Sequence, residues 1–172
     1  MLAHELCHSL VAIRSGARVH SITLMMLGGV SFIEGRLSPG REAWMAFAGP
    51  LASFAIAAVS FAIFRIVPLP PDALAALFAF AMTNALIGAF NLLPAFPMDG
   101  GRIVRGLLAR RMGQARATAV AAGLGKVMAV AIGVYAIWSL NLILLLIAWF
   151  VYGGASGEER AAAQEQGKPP GG

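Results

Sequence analysis

The sequence predicts an all-α polytopic membrane protein, a bundle of about five transmembrane helices with a small β-hairpin inserted after the first. Three observations carry this. The chain is 59% hydrophobic and only 12% charged, against roughly 45–50% and 25% in a soluble domain. Its uncharged runs, residues 43–64, 73–98 and 127–157, are 22, 26 and 31 residues long, and about 20 residues span a hydrocarbon core of about 30 Å. The one departure from helical patterning is residues 19–32, where Val19, Ser21 and Thr23 alternate with Ile22, Leu24 and Met26 before Gly28-Gly29 and Val30. That alternation reads as a hairpin or small sheet. A length of 172 residues suits one bundle, with residues 1–157 as its core and 158–172 as a polar tail.

The chain begins on His4-Glu5-Leu6-Cys7-His8. Residues four apart share one helix face, so His4 and His8 can offer two imidazoles to one metal, the H-E-x-x-H pattern of zinc hydrolases. A helix over residues 2–15 rises only about 21 Å, short of a full span, and the expectation is that further sequence precedes it. Nothing in residues 1–13 resembles the apolar core of a signal peptide. Arg14, Gly16 and Arg18 end this helix at a basic, water-facing boundary. Gly49-Pro50 inside the first long run predicts a kink or a point of close packing. Arg65, Pro68, Pro70, Pro71 and Asp72 make a turn. In the next run Asn91, Pro94 and Pro97 break the helix, because proline lacks an N–H and disfavours helix before it. Unwound backbone at membrane depth is tolerated where it lines a site or a wet cavity. The last apolar stretch is best divided in two, turning near Ser139 to Asn141. That division puts eleven of the thirteen basic residues on one face, which the positive-inside rule makes cytoplasmic. The tail, ending Lys168-Pro169-Pro170-Gly171-Gly172, reads as a linker or the start of a connection to another domain.

Charge excludes a nucleic-acid partner. The net +5 comes from clusters beside apolar runs, without interleaved aromatics. The single cysteine, Cys7, excludes an internal disulfide and reads as a small packing residue. His20, in the expected strand, reads as an ordinary sheet histidine. Only Glu5 and Asp99 among the acidic residues sit in apolar context, where a charge costs at least about 2.5–3.5 kcal/mol and needs a partner. A zinc ion held by His4, His8 and Asp99, with its fourth position open, would satisfy these groups as a catalytic site. Local sequence equally allows Asp99 to be a helix cap ahead of Gly100-Gly101.

His4-Glu5-Leu6-Cys7-His8 together with Asn91-Leu92-Leu93-Pro94-Ala95-Phe96-Pro97-Met98-Asp99-Gly100-Gly101-Arg102 resembles the site-2 protease family of intramembrane zinc metalloproteases. Ala48-Gly49-Pro50-Leu51 and Gly28-Gly29-Val30 are similar to further family segments, and the resemblance covers roughly residues 2–155. Cys7 and Ser53 depart from it, standing where the family usually has Gly and often has Asn. The resemblance implies a six-helix enzyme, held here from the second helix onward, that cleaves transmembrane proteins near the cytoplasmic face of a prokaryotic cell membrane. It implies one zinc per chain on His4, His8 and Asp99, with Glu5 as general base and Asn91 near the metal. Asn91 is the candidate oxyanion donor, with a structural amide as the competing role. It further implies a nucleotide-sensing regulatory domain after the last helix. The other classes to weigh are an inactive homologue and a metal-binding scaffold or transporter; the first should lack ligands and the second has no use for Glu5. Oligomeric state is not legible.

Overall fold

The computed structural model describes residues 1–16, 18–25, 28–34 and 38–166, with backbone alone for 18–25, 28–34 and 165–166. It divides into two compact units, Met1–Leu37 with Trp44–Leu92, and Ser38–Ala43 with Leu93–Gly172.

The first unit opens with α1 (Leu2–Arg14), followed by β1 (Arg18–Met25) and β2 (Gly28–Glu34). The helix is inverted relative to a helix in water. Its buried residues are His4, Glu5, His8, Ser9 and Ala12, while Leu2, Leu6, Leu10 and Ile13 are exposed. The spacing places the polar groups on one face and the leucines on the other. Gly16, at φ +87°, takes the left-handed backbone that ends the helix. The two strands pair antiparallel from Arg18↔Glu34 to Met25↔Gly28, with an irregularity between Val19 and Ser21. The His20 side chain lies outside the described residues, as do residues 167–172.

Helix α2 (Pro39–Ile66) starts in the second unit and runs on through the first. Proline at its first position has no N–H to leave unpaired. Pro50 lies inside it and withholds a donor from the turn before it. Helix α3 (Pro71–Asn91) completes the first unit. Gly88 admits the Phe54 ring of α2, which a Cβ there would meet at 3.1 Å. Asn91 ends α3 and Pro94 and Pro97 follow, so residues 92–98 form turns rather than helix.

The second unit contains α4 (Asp99–Met112), α5 (Gln114–Trp138) and α6 (Leu142–Gln166). Gly113, at φ +82°, provides the sharp turn between α4 and α5. Ser139 to Asn141 separate α5 from α6, where the sequence suggests the division. The buried residues here are small. Ala121, Ala122 and Ala155 close around Phe96, and Ala95, Met98, Ala129 and Val151 form a second cluster. Small residues let membrane helices approach closely enough for packing to hold them together.

Two expectations need correction. Among the described residues, four helices rather than about five are long and apolar enough to cross a membrane: α2, α3, α5 and α6. The 13-residue α1 rises only about 20 Å, and the 14-residue α4 carries Arg102, Arg105, Arg110 and Arg111. The polar stretch from Glu158, expected as a linker, continues α6 as far as Gln166. Glu158 pairs with Arg105 and Glu159 with Lys126, and Ala161 to Ala163 are the strongest helix formers. Large apolar side chains elsewhere face outward, with Trp138 at 81% and Trp149 at 76% exposure. Such a surface belongs against lipid, and the chain is an integral membrane protein.

Candidate metal centre

The two histidines of α1 lie one turn apart and are almost wholly buried, His4 at 3% and His8 at 8% exposure. Their rings meet edge to face, with centroids 4.8 Å apart and planes at 79°. Each ring is oriented by α2. His8 Nδ1 lies 2.7 Å from the Met45 carbonyl oxygen. A carbonyl only accepts, so Nδ1 carries the proton and, in the neutral ring, Nε2 keeps its lone pair. His4 Nδ1 lies 2.9 Å from Ser53 Oγ, which takes its N–H when the ring presents Nε2 to a metal. Fixing the outer nitrogen in this way sets both tautomer and ring angle of a metal-ligating histidine.

The inner nitrogens converge over Gly49. A Cβ built on Gly49 would lie 2.6 Å from His4 Nε2 and closer still to His8 Nε2. With no side chain, Gly49 lets both Nε2 atoms lie closer to the α2 backbone than a Cβ there would allow. Two imidazoles whose Nε2 atoms lie together against Gly49, with a buried carboxyl beside them on the same helix, fit zinc.

Met45, Gly49 and Ser53 follow one another at four-residue spacing on one face of α2. They oppose His8 and His4 in reverse order, so α1 and α2 are antiparallel here. In sequence, Gly49-Pro50 reads as a kink or a point of close packing within a segment similar to the family's, and Ser53 as a departure from the family pattern. The periodicity shared by His4, His8 and the 45–49–53 row was the signal available for finding them. Pro50 has no N–H to offer the Ala46 carbonyl, one residue after the Met45 carbonyl that accepts from His8.

Glu5 is buried, at 8% exposure, next to His4. Its backbone carbonyl accepts the Ser9 hydroxyl at 3.0 Å. Asn91 is half-buried at the end of α3, and its amide nitrogen donates to the Ile87 carbonyl at 2.9 Å. One of its two amide N–H groups is therefore committed to the helix. Cys7 is a half-buried free thiol. Asp99 belongs to the second unit, where it is the first residue of α4. Met98 occupies the N-cap, with no side-chain cap hydrogen bond. Asp99 is thus not the cap residue itself; it lies in the first turn, where a carboxylate suits the positive end of the helix.

The Peptidase family M50 model matches residues 1–71 and 69–132. A zinc metalloprotease of Methanocaldococcus jannaschii is 36% identical over 165 residues, covering 96% of this chain and 48% of its own length. The solved structure of the site-2 protease from Methanocaldococcus jannaschii has a TM-score of 0.76 at 37% identity, over 92% of this chain and 73% of that one. The chain spans about half the length of the curated relatives it matches. With a matching family model over most of its length and a relative this similar, the chain belongs to Peptidase family M50.

Proposed function

We propose that the protein is an intramembrane zinc metalloprotease that hydrolyses peptide bonds within or near transmembrane segments of other membrane proteins. The observation that carries this is the pair of oriented histidine rings whose Nε2 atoms meet over Gly49. His4, His8 and Asp99 would hold one zinc. A bound zinc supplies Lewis-acid polarisation of the scissile carbonyl and brings the pKa of a water toward about 7. Glu5 accepts a proton from the attacking water and returns it to the leaving amine. Its burial keeps that carboxylate away from bulk solvent, beside the ligand helix. The second N–H of Asn91 donates to the developing oxyanion.

The substrate must expose backbone to be cut, since a transmembrane helix satisfies its own hydrogen bonds. The β1–β2 hairpin offers strand edges to which an extended segment can pair. Basic residues clustered at residues 14–41 and 102–116 put the site toward the cytoplasmic side of a prokaryotic cell membrane. A nucleotide-sensing domain would follow α6.

The test uses the full-length protein in detergent or vesicles with a transmembrane peptide carrying helix-breaking residues. Cleavage should occur with about one zinc per chain, stop with chelator and return with added zinc. Cleavage that persists in metal-free protein overturns the proposal.

A further inference from the structure

Asp99 follows a segment with little regular backbone pairing. Local turns hold it, with Ala95 N donating to Leu93 O at 2.7 Å and Met98 N to Ala95 O at 3.0 Å. Side chains must therefore fix where α4 begins. Phe96, three residues before Asp99, is fully buried against Ala121 and Ala122 of α5 and Ala155 of α6. The fit leaves little slack. A Cβ on Gly154 would stand 2.6 Å from Pro97, and one on Gly101 would stand 2.7 Å from the Phe96 nitrogen.

The Phe96 ring also meets Arg105, whose guanidinium carbon is 5.2 Å from the ring centroid. Two carboxylates lock that guanidinium. Arg105 Nε donates to Glu42 Oε1 at 2.7 Å, Nη2 reaches the same oxygen, and Nη1 donates to Glu158 Oε2 at 3.0 Å. Glu42, at 7% exposure, also accepts from Gln114 Nε2 at 3.2 Å. Helices α4 and α6 and the start of α2 thus meet at the Arg105 guanidinium, and the start of α5 joins them through Glu42. Lysine could not reproduce this, because it lacks the planar fork and stacks less well on an aromatic face.

We propose that Arg105 is a positioning residue for Asp99: held between Glu42 and Glu158, it pins the Phe96 ring and so fixes the segment that delivers the Asp99 carboxylate. This rests on Asp99 being the third zinc ligand. An ion pair that merely supports the fold would lower zinc affinity without regard to Asp99. A positioning residue acts through Asp99 and loses its effect when Asp99 cannot ligate. A double-mutant cycle on the full-length protein separates the two.

Zinc affinity is measured by chelator competition for the native protein, Arg105→Ala, Asp99→Asn and the double variant, with helical content checked for each. Arg105→Ala should weaken zinc about 10-fold, the scale of losses from orienting partners, and have no further effect in the Asp99→Asn background. Glu158→Gln leaves Glu42 paired with Arg105 and should give a smaller loss that also vanishes with Asp99→Asn. It decides the matter if Arg105→Ala does not fold. Lys126→Ala, which removes the ion pair to Glu159 on α6, should leave affinity unchanged. Equal losses in both backgrounds, or no loss from Arg105→Ala and Glu158→Gln, overturn the positioning role while leaving the ligand reading intact. Unchanged affinity in Asp99→Asn alone refutes the ligand reading and the positioning role together.

Discussion

Glu5→Gln should abolish peptide cleavage while the protein still binds zinc. The change is nearly isosteric and leaves His4, His8 and their partners Ser53 and Met45 untouched. It removes the one buried carboxyl on the ligand helix and puts an amide, which cannot accept a proton at neutral pH, in its place. General base catalysis is worth about 100-fold to 10,000-fold, and single-turnover cleavage should slow by that much. The expected signature is a loss in the chemical step with metal content at one per chain. Equal loss of zinc and cleavage would instead make Glu5 a support for the helix, and unchanged cleavage would remove it from the mechanism.

Gly49→Ala should weaken zinc by about 100-fold, an effect out of proportion to one methyl group. Both Nε2 atoms stand where that methyl must go. Restoring ordinary contact at about 3.5 Å requires the rings or the helix to yield by about 1 Å, whereas metal–ligand distances tolerate about 0.2 Å. Yielding is itself resisted, because Ser53 and Met45 hold the outer nitrogens. The helices have a second adjustment available, moving apart, which would expose His4, Glu5 and His8 to lipid at a further cost. Zinc affinity by chelator competition reads the effect. Gly88→Ala is the comparison, since its methyl would meet the Phe54 ring, away from the histidines, and should leave zinc affinity unchanged.

What the sequence discloses and what it conceals follow from the range of the interactions. Helix-face periodicity is local, so the pairing of His4 with His8 on one face of α1 was readable, as was the break that Pro94 and Pro97 impose after α3. The division near Ser139 came from charge sorting, a property of the whole chain that a single sequence still displays. The cradle was not readable in the same way. It depends on Gly49 facing rings 41 and 45 positions earlier, and a glycine beside a proline has many commoner explanations. The Glu42–Arg105–Glu158 cluster joins charges 63 and 53 residues apart. In sequence, each looks like an ordinary surface or tail charge. The same contacts explain why helix persists past Glu158, where composition alone suggested a linker. The count of spans differs for a simpler reason: among the described residues α1 holds 13 residues, below the length of a span, and its pattern marks a buried polar face.

X-ray absorption at the zinc edge of the loaded, full-length protein, compared with Asp99→Asn, reads the zinc ligand set itself. A site built by His4, His8 and Asp99 predicts a first shell of two imidazole nitrogens and carboxylate oxygen at about 2.0–2.2 Å, with the carboxylate contribution lost in Asp99→Asn. A shell lacking the two imidazoles, or one identical in the native protein and Asp99→Asn, would contradict it.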